Sequence, residues 1–172
     1  VRVYGAFRTL KAMHNSEGWQ TWRAEYRYGN ADVVARIWKD AKLGEKALFH
    51  AWVQYRLEAQ FREVAEYLGK LGIMLKGDIP IMMNEDSADV WAHGAVFHLE
   101  QRAGAPPDMF TAKGQNWGFP IYNWEYLANH DYSWWRERLR QADKFYHAYR
   151  IDHVLGFFRI WTIDRHHQDG LL

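Results

Sequence analysis

The chain has 172 residues, long enough for one domain with a real core. A formal net charge of +1 gives no reason to expect nucleic acid as a partner, and the absence of cysteine excludes disulfides and thiolate metal sites. No apolar run reaches membrane-spanning length, and the first residues, Val1-Arg2-Val3-Tyr4, are neither a signal peptide nor an initiator Met.

Elements are read in chain order from the spacing of apolar residues. Tyr4, Phe7 and Leu10 sit at helical spacing before Gly18. Asn30 is placed to cap a second helix carrying Val34, Ile37, Trp38 and Ala41, with Gly44 beyond its end. The strongest helix is expected over 45–68, with the stripe Phe49, Val53, Leu57, Phe61, Ala65, Leu68 turned to the core and Gly69 and Gly72 closing it. A short buried strand is expected over 73–81. A long loop then runs over 82–130, rich in glycine and Trp and holding three of the four prolines. Loops of that length are usually functional, and its aromatic content argues against disorder. A last helix begins near Asp131, a strand around 149–151 follows, and 157–163 opens a further element. Helix, strand, loop, helix and strand in that order predict a β/α unit with parallel strands.

Aromatic residues make up 17% of the chain, with 10 Trp and 10 Tyr. Flat indole faces stack on sugar rings, so this excess favours carbohydrate binding. A core dominated by large rings explains it as well.

Two predicted strands end in aspartate, at Gly77-Asp78 and Ile151-Asp152. In a β/α barrel, functional side chains gather at the carboxyl ends of the strands. A retaining glycosidase or transglycosidase needs a carboxylate nucleophile and a second carboxyl as acid/base, about 5 Å apart. Asp152 is the candidate nucleophile. Arg150, two residues earlier on the strand, shares its face and would keep it ionised. His153 is placed to donate to a sugar hydroxyl, and Gly156 follows three residues on. A buried Arg–Asp ion pair closing a strand is the competing explanation. Asp86 or Ser87, with Asp89, is expected to cap a helix rather than to act chemically. The segment from Gly104 to Pro120 combines a stiff diproline with Asp108, Gln115, Asn116 and Trp117. It suits either sugar recognition or an ordered loop that satisfies itself. His93 and His98, and the adjacent His166 and His167, have no known metal-ligand spacing.

GDIPI (Gly77–Ile81), DSADVWA (Asp86–Ala92), GAPPDMF (Gly104–Phe110), GQNWGFPIYNWEYL (Gly114–Leu127) and AYRIDHVLGFFRIW (Ala148–Trp161) together resemble glycoside hydrolase family 77, the 4-α-glucanotransferases. The wording is most similar to the transglucosidase branch that includes plant cytosolic disproportionating enzymes. The resemblance implies an α/β fold: part of a (β/α)8 TIM barrel with an inserted helical and loop subdomain, the barrel incomplete in this chain. It divides the chain into a helical inserted segment, 1–44, and a partial barrel, 45–172, with a substrate loop at about 82–130. It implies a retaining transferase acting on α-1,4-glucans (maltose, maltodextrins) through a glucosyl-aspartate. Asp152 would match the nucleophile, Arg150 and His153 its flanking substrate ligands, and Asp78 a strand-end binding aspartate. Asp108, Gln115 and Trp117 would match donor- and acceptor-site ligands. Neither metal nor organic cofactor is implied, and the setting is cytoplasmic. The family's acid/base glutamate and stabilising aspartate would fall after Leu172. The chain is therefore expected to be an internal piece, inactive alone, whose partners are an α-1,4-glucan oligosaccharide or polysaccharide and the remainder of the barrel. A Trp-rich sugar-binding module and a purely structural piece are the alternatives.

Overall fold

The fold was examined in a computed structural model, which describes residues 1–171. Three helices open the chain: α1 (Arg2–Met13), α2 (Ala31–Lys39) and α3 (Ala41–Lys70). Ala6, Phe7 and Leu10 fall on one face of α1 and are buried. Asn30 caps α2, its side chain accepting from Val33 N at 2.9 Å. Gly44 does not end this region as expected. Asp40 both closes α2 and caps α3, accepting from Lys42 N at 2.9 Å and Leu43 N at 2.8 Å. A new helix therefore starts before the glycine. Gly44 lies inside α3, where a Cβ would stand 2.9 Å from the Trp38 carbonyl oxygen.

The 30 residues of α3 contain the expected helix, but the expected stripe packs only toward its C-terminal end, at Phe61 and Ala65, and Ala47, outside the stripe, is buried as well. Only Ala47 and Ala65 are fully buried on it. Phe49 and Leu57 remain 59% and 51% exposed. Phe61 stacks on Phe145 at 4.8 Å, which ties the C-terminal half of α3 to the end of the later helical region.

The expected parallel unit is present. Strand β1 (Lys76–Ile79) leads, through the intervening chain and the last helix, to β4 (Ala148–Ile151), and the two pair in parallel with Asp78 opposite Arg150. Tyr146 lies flat over the bare Cα of Gly77, where a Cβ would come within 2.3 Å of the ring. Residues 82–130, expected as one loop, instead fold into α4 (Ala88–Ala92), the hairpin β2 (Phe97–Ala105) and β3 (Gln115–Tyr122), and α5 (Trp124–Asn129). Strand β5 (Trp161–Asp164) adds to β2, giving a three-stranded antiparallel sheet in the order β3-β2-β5. The period-2 signal of β2 is broken by register shifts between His98 and Gly104. Helix α6 (Ser133–Asp143) begins two residues later than predicted. Asp131 and Tyr132 both hold left-handed backbone, at φ 54° and 50°, so neither is an ordinary cap.

One apolar cluster joins the opening helices to the strand region. Phe7, Trp22 and Trp91 meet at ring-centroid distances of 5.5 to 6.0 Å, and Ile79, Ile81, Tyr122 and Trp135 belong to the same core. The core therefore crosses position 44. Most of the buried indoles find partners: Trp19 donates to Glu85 O at 2.8 Å and Trp91 to Tyr26 O at 2.9 Å, while the buried Trp135 N–H has none among the described residues. Much of the Trp excess is thus core. No helix among the described residues is long and apolar enough to cross a membrane.

Arg102 is 5% exposed at the β2 bulge. It donates to Glu85 at 2.5 Å and to the Leu99 carbonyl at 2.6 Å, fastening the segment before α4 to the sheet. Replacing it with Leu leaves the Glu85 carboxylate short of its main partner. Arg102→Leu is expected to cost about 3–5 kcal/mol of unfolding free energy by denaturant titration. A loss below about 1 kcal/mol would show that the ion pair holds nothing in place.

Candidate functional site

The parallel register of β1 and β4 brings together residues 72 positions apart. Asp78 sits near the end of β1 and Arg150 opposite it on β4, and Asp152 immediately follows β4. The Arg150 guanidinium spans both acids, one Nη donating to Asp78 Oδ2 and the other to Asp152 Oδ1 at 2.6 Å. Hydrogen bonding to Asp78, with the charge of Asp152 beside it, raises the guanidinium pKa above its ordinary value. The competing explanation required a buried pair. The side chains of Asp78, Arg150 and Asp152 are instead 58%, 51% and 62% exposed. Exposed ion pairs contribute about 0–1 kcal/mol, so stability gives little reason for this cluster. Two carboxylates and a cation thus stand together at the ends of the parallel strands β1 and β4, where functional side chains gather in a β/α barrel.

His153 follows Asp152 in left-handed backbone, φ 50° and ψ 47°. Its ring meets Trp117 edge-on at 5.1 Å, which joins the β2–β3 hairpin to the end of β4. Trp117 is set by its own strand: its indole N–H donates to Gln115 Oε1 at 2.9 Å. Asn116 turns the other way and takes Gly118 N at 2.8 Å, a turn that needs the glycine's φ of 75°. Trp117 and His153 line an open cavity of about 610 Å³ with Pro106, Leu155, Phe158 and Trp161. An apolar, aromatic trough beside strand-end acids fits a sugar ring, which offers C–H faces to rings and hydroxyls to acids.

Not every expected ligand is free to bind. The Gln115 carbonyl is occupied by Trp117, and neither Gln115 nor Asp108 lines the trough. Asp108 Oδ1 accepts from Phe110 N at 2.9 Å, Thr111 N at 2.7 Å and Thr111 Oγ1 at 3.0 Å. It shapes the hairpin tip, and Met109 and Phe110 stand out from that tip 89% and 86% exposed. Phe158 and Leu155, which were not singled out as ligands, line the trough at 82% and 69% exposure. Both lie in the family-like segment Ala148–Trp161, and Phe158 also in the run 157–163 read only as the start of a further element.

A larger cavity, about 750 Å³, holds Asp78, Pro80, His93, Tyr126 and Arg138 but neither Asp152 nor His153. It opens beside β1, which among the described residues pairs only with β4. Among the described residues no three His, Cys, Asp or Glu side chains gather as metal ligands do. Ser87 caps α4 through Val90 N at 3.2 Å, as its spacing predicts.

The backbone and hydroxyl bonds to Asp108 lower its carboxyl pKa, the Thr111 amide contributing most. A depressed pKa means these bonds persist above the usual carboxylate range and are lost as pH falls through the lowered value. The Thr111 and Phe110 amide NMR signals should therefore titrate with a midpoint below 3.8, the ordinary Asp value. A midpoint at or above that value would contradict the hydrogen-bonded tip.

Comparison with known proteins gives one consistent result. The family profile described as 4-alpha-glucanotransferase, glycoside hydrolase family 77, matches residues 1–171. The chain is 38% identical over its whole length to 4-alpha-glucanotransferase DPE2 of Oryza sativa subsp. japonica, covering 18% of that protein. It is 40% identical over 161 residues to the 4-alpha-glucanotransferase of Chlamydia pneumoniae, covering 94% of this chain and 30% of that one. Amylomaltase from Streptococcus agalactiae, solved in complex with acarbose, superposes with a TM-score of 0.87 at 32% identity over 98% of this chain and 35% of its own. Corynebacterium glutamicum amylomaltase, at 22% identity and a TM-score of 0.78, shares the fold. The chain spans no more than about a third of these relatives' length, so it corresponds to a fragment of them, and it belongs to the 4-alpha-glucanotransferase family, glycoside hydrolase family 77.

Proposed function

We propose that this chain is part of the catalytic region of a retaining 4-α-glucanotransferase and contributes its nucleophile. The single observation that carries the reading is the exposed Asp78–Arg150–Asp152 cluster at the open ends of β1 and β4, next to the Trp117/His153 trough. Asp152 Oδ attacks the anomeric carbon of an α-1,4-glucan, and the C–O bond to the reducing-end portion breaks. The departing oxygen takes a proton from a general acid, leaving a glucosyl ester on Asp152. The 4-hydroxyl of a second glucan then attacks that carbon and returns its proton to the same acid, releasing Asp152. Arg150 orients Asp152 and shares Asp78, while His153 donates to a sugar hydroxyl. Trp117 and the exposed Phe158 hold the acceptor sugar and exclude water, which favours transfer over hydrolysis. Asp108 and Gln115 act through the hairpin, Asp108 by shaping its tip and Gln115 by fixing Trp117.

The general acid and the stabilising carboxylate belong, in this proposal, to parts of a longer polypeptide outside 1–172. The fraction of each relative that the chain covers supports this. The parallel pair β1–β4 with α6 between its strands is read as part of a (β/α)8 barrel, and 1–44 as an inserted helical segment packed on it. The proposed setting is cytoplasmic, in keeping with a chain that has no cysteine. The acarbose complex of the Streptococcus agalactiae relative supports an oligosaccharide ligand.

In a complete transferase carrying this segment, Asp152→Asn should lower maltotriose disproportionation on the order of 10⁴-fold or more, with maltotriose affinity retained. A loss of affinity equal to the loss of turnover would favour a binding module. The 172-residue chain alone should give no measurable turnover, and robust turnover would place a proton donor within it.

A further inference from the structure

Gly156 is buried in the short 3-10 turn Val154–Phe157, and its N–H returns to the His153 carbonyl at 2.8 Å. The left-handed glycines are Gly72, Gly114 and Gly118, so the Gly156 backbone is one that other residues adopt. What the position requires is room. A Cβ there would stand 2.8 Å from His153 Cδ2, with Ile81 Cδ1 at 3.2 Å and Ile160 Cδ1 at 3.4 Å closing the other sides. The imidazole is the nearest of the three, so the ring must give most and the two isoleucine ends little. The ring is also bounded on another side, edge-on, by Trp117 at 5.1 Å. The His153 backbone is left-handed, which for a residue with a Cβ is costly and leaves little freedom to compensate.

We propose that Gly156 is a positioning residue: its bare Cα is the floor that, against Trp117, sets the His153 imidazole beside Asp152. This rests on the reading of Asp152 and His153 as a glucan-transfer site. The turn that follows β4 folds back so that the chain seats its own side chain. An added methyl pushes the ring out of its seat. Misplacement of about 1 Å in an oriented site costs on the order of 100-fold in rate. Gly156 thus acts through His153, without touching sugar.

The test is a double-mutant cycle in a complete transferase carrying this segment: Gly156→Ala, His153→Ala and the two combined, with Asp152→Asn as a control. Gly156→Ala alone should lower kcat on maltotriose on the order of 10- to 100-fold, with a smaller change in KM. In the His153→Ala background the same methyl enters the space the ring has left, and the further loss should be within about twofold. Thermal midpoints of the same proteins read the steric coupling independently of turnover: Gly156→Ala should lower the midpoint with His153 present and not in the His153→Ala background. Should Gly156→Ala fail to fold while the double variant folds, the clash is with the ring and the inference stands. Equal losses in both backgrounds, or failure of both to fold, overturn it. Retained transfer in Asp152→Asn would overturn the site reading, and this inference with it.

Discussion

One guanidinium organises the site. Arg150 holds Asp78 of β1 and Asp152 beyond β4, so two acids distant in sequence are fixed at the ends of adjacent strands. The geometry depends on the parallel register, which puts Arg150 opposite Asp78, and on the alternation of a strand, which puts Arg150 and Asp152 on one side. Beside it, the missing side chain of Gly77 lets Tyr146 lie against β1. The cluster is open to solvent, where charge pairing contributes little to folding.

Around it the molecule separates two uses of aromatic residues. Trp19, Trp22, Trp91 and Trp135 are sealed in the core, and the indole N–H groups of the first three are paired with backbone carbonyls. Trp117 and Trp161 stay partly open along the trough, with Phe158 exposed beside them. Composition alone registered the excess without dividing it. The exposed side of α3, with Phe49, Trp52 and Leu57, is a third apolar surface, with no cover among the described residues. Its breadth accords with a chain that spans about a third or less of its relatives.

Much of the plan was legible in the residues because it is local. Asn30 and Ser87 announce helix starts through short side-chain bonds, and the strand-end aspartates of β1 and β4 follow from apolar runs stopped by an acid. What could not be read depends on distant partners. The hairpin β2–β3 hid behind a bulge at a buried Arg102 and behind a proline and glycines in β3. The α3 stripe was periodic, yet its N-terminal members Phe49 and Leu57 stay exposed, and the buried positions are the small Ala47 and Ala65, of which only Ala65 belongs to the stripe. At the site, the strand-end residues Asp78, Arg150 and Asp152 were visible, whereas the Trp117–His153 contact joins elements 36 residues apart and exists only in the fold. Gln115 and Asp108 carried the right chemistry for sugar, but their oxygens serve the hairpin itself, a use that spacing cannot distinguish from binding.

The proposed function depends on a bond between the Asp152 carboxylate and the anomeric carbon. Incubating a complete transferase carrying this segment with 5-fluoro-α-glucosyl fluoride, quenching in acid and mapping peptides by mass spectrometry tests it directly. The account predicts one fluoroglucosyl adduct, on the peptide containing Asp152 and absent from Asp152→Asn. An adduct on any other carboxylate, with Asp152 unmodified, would contradict it.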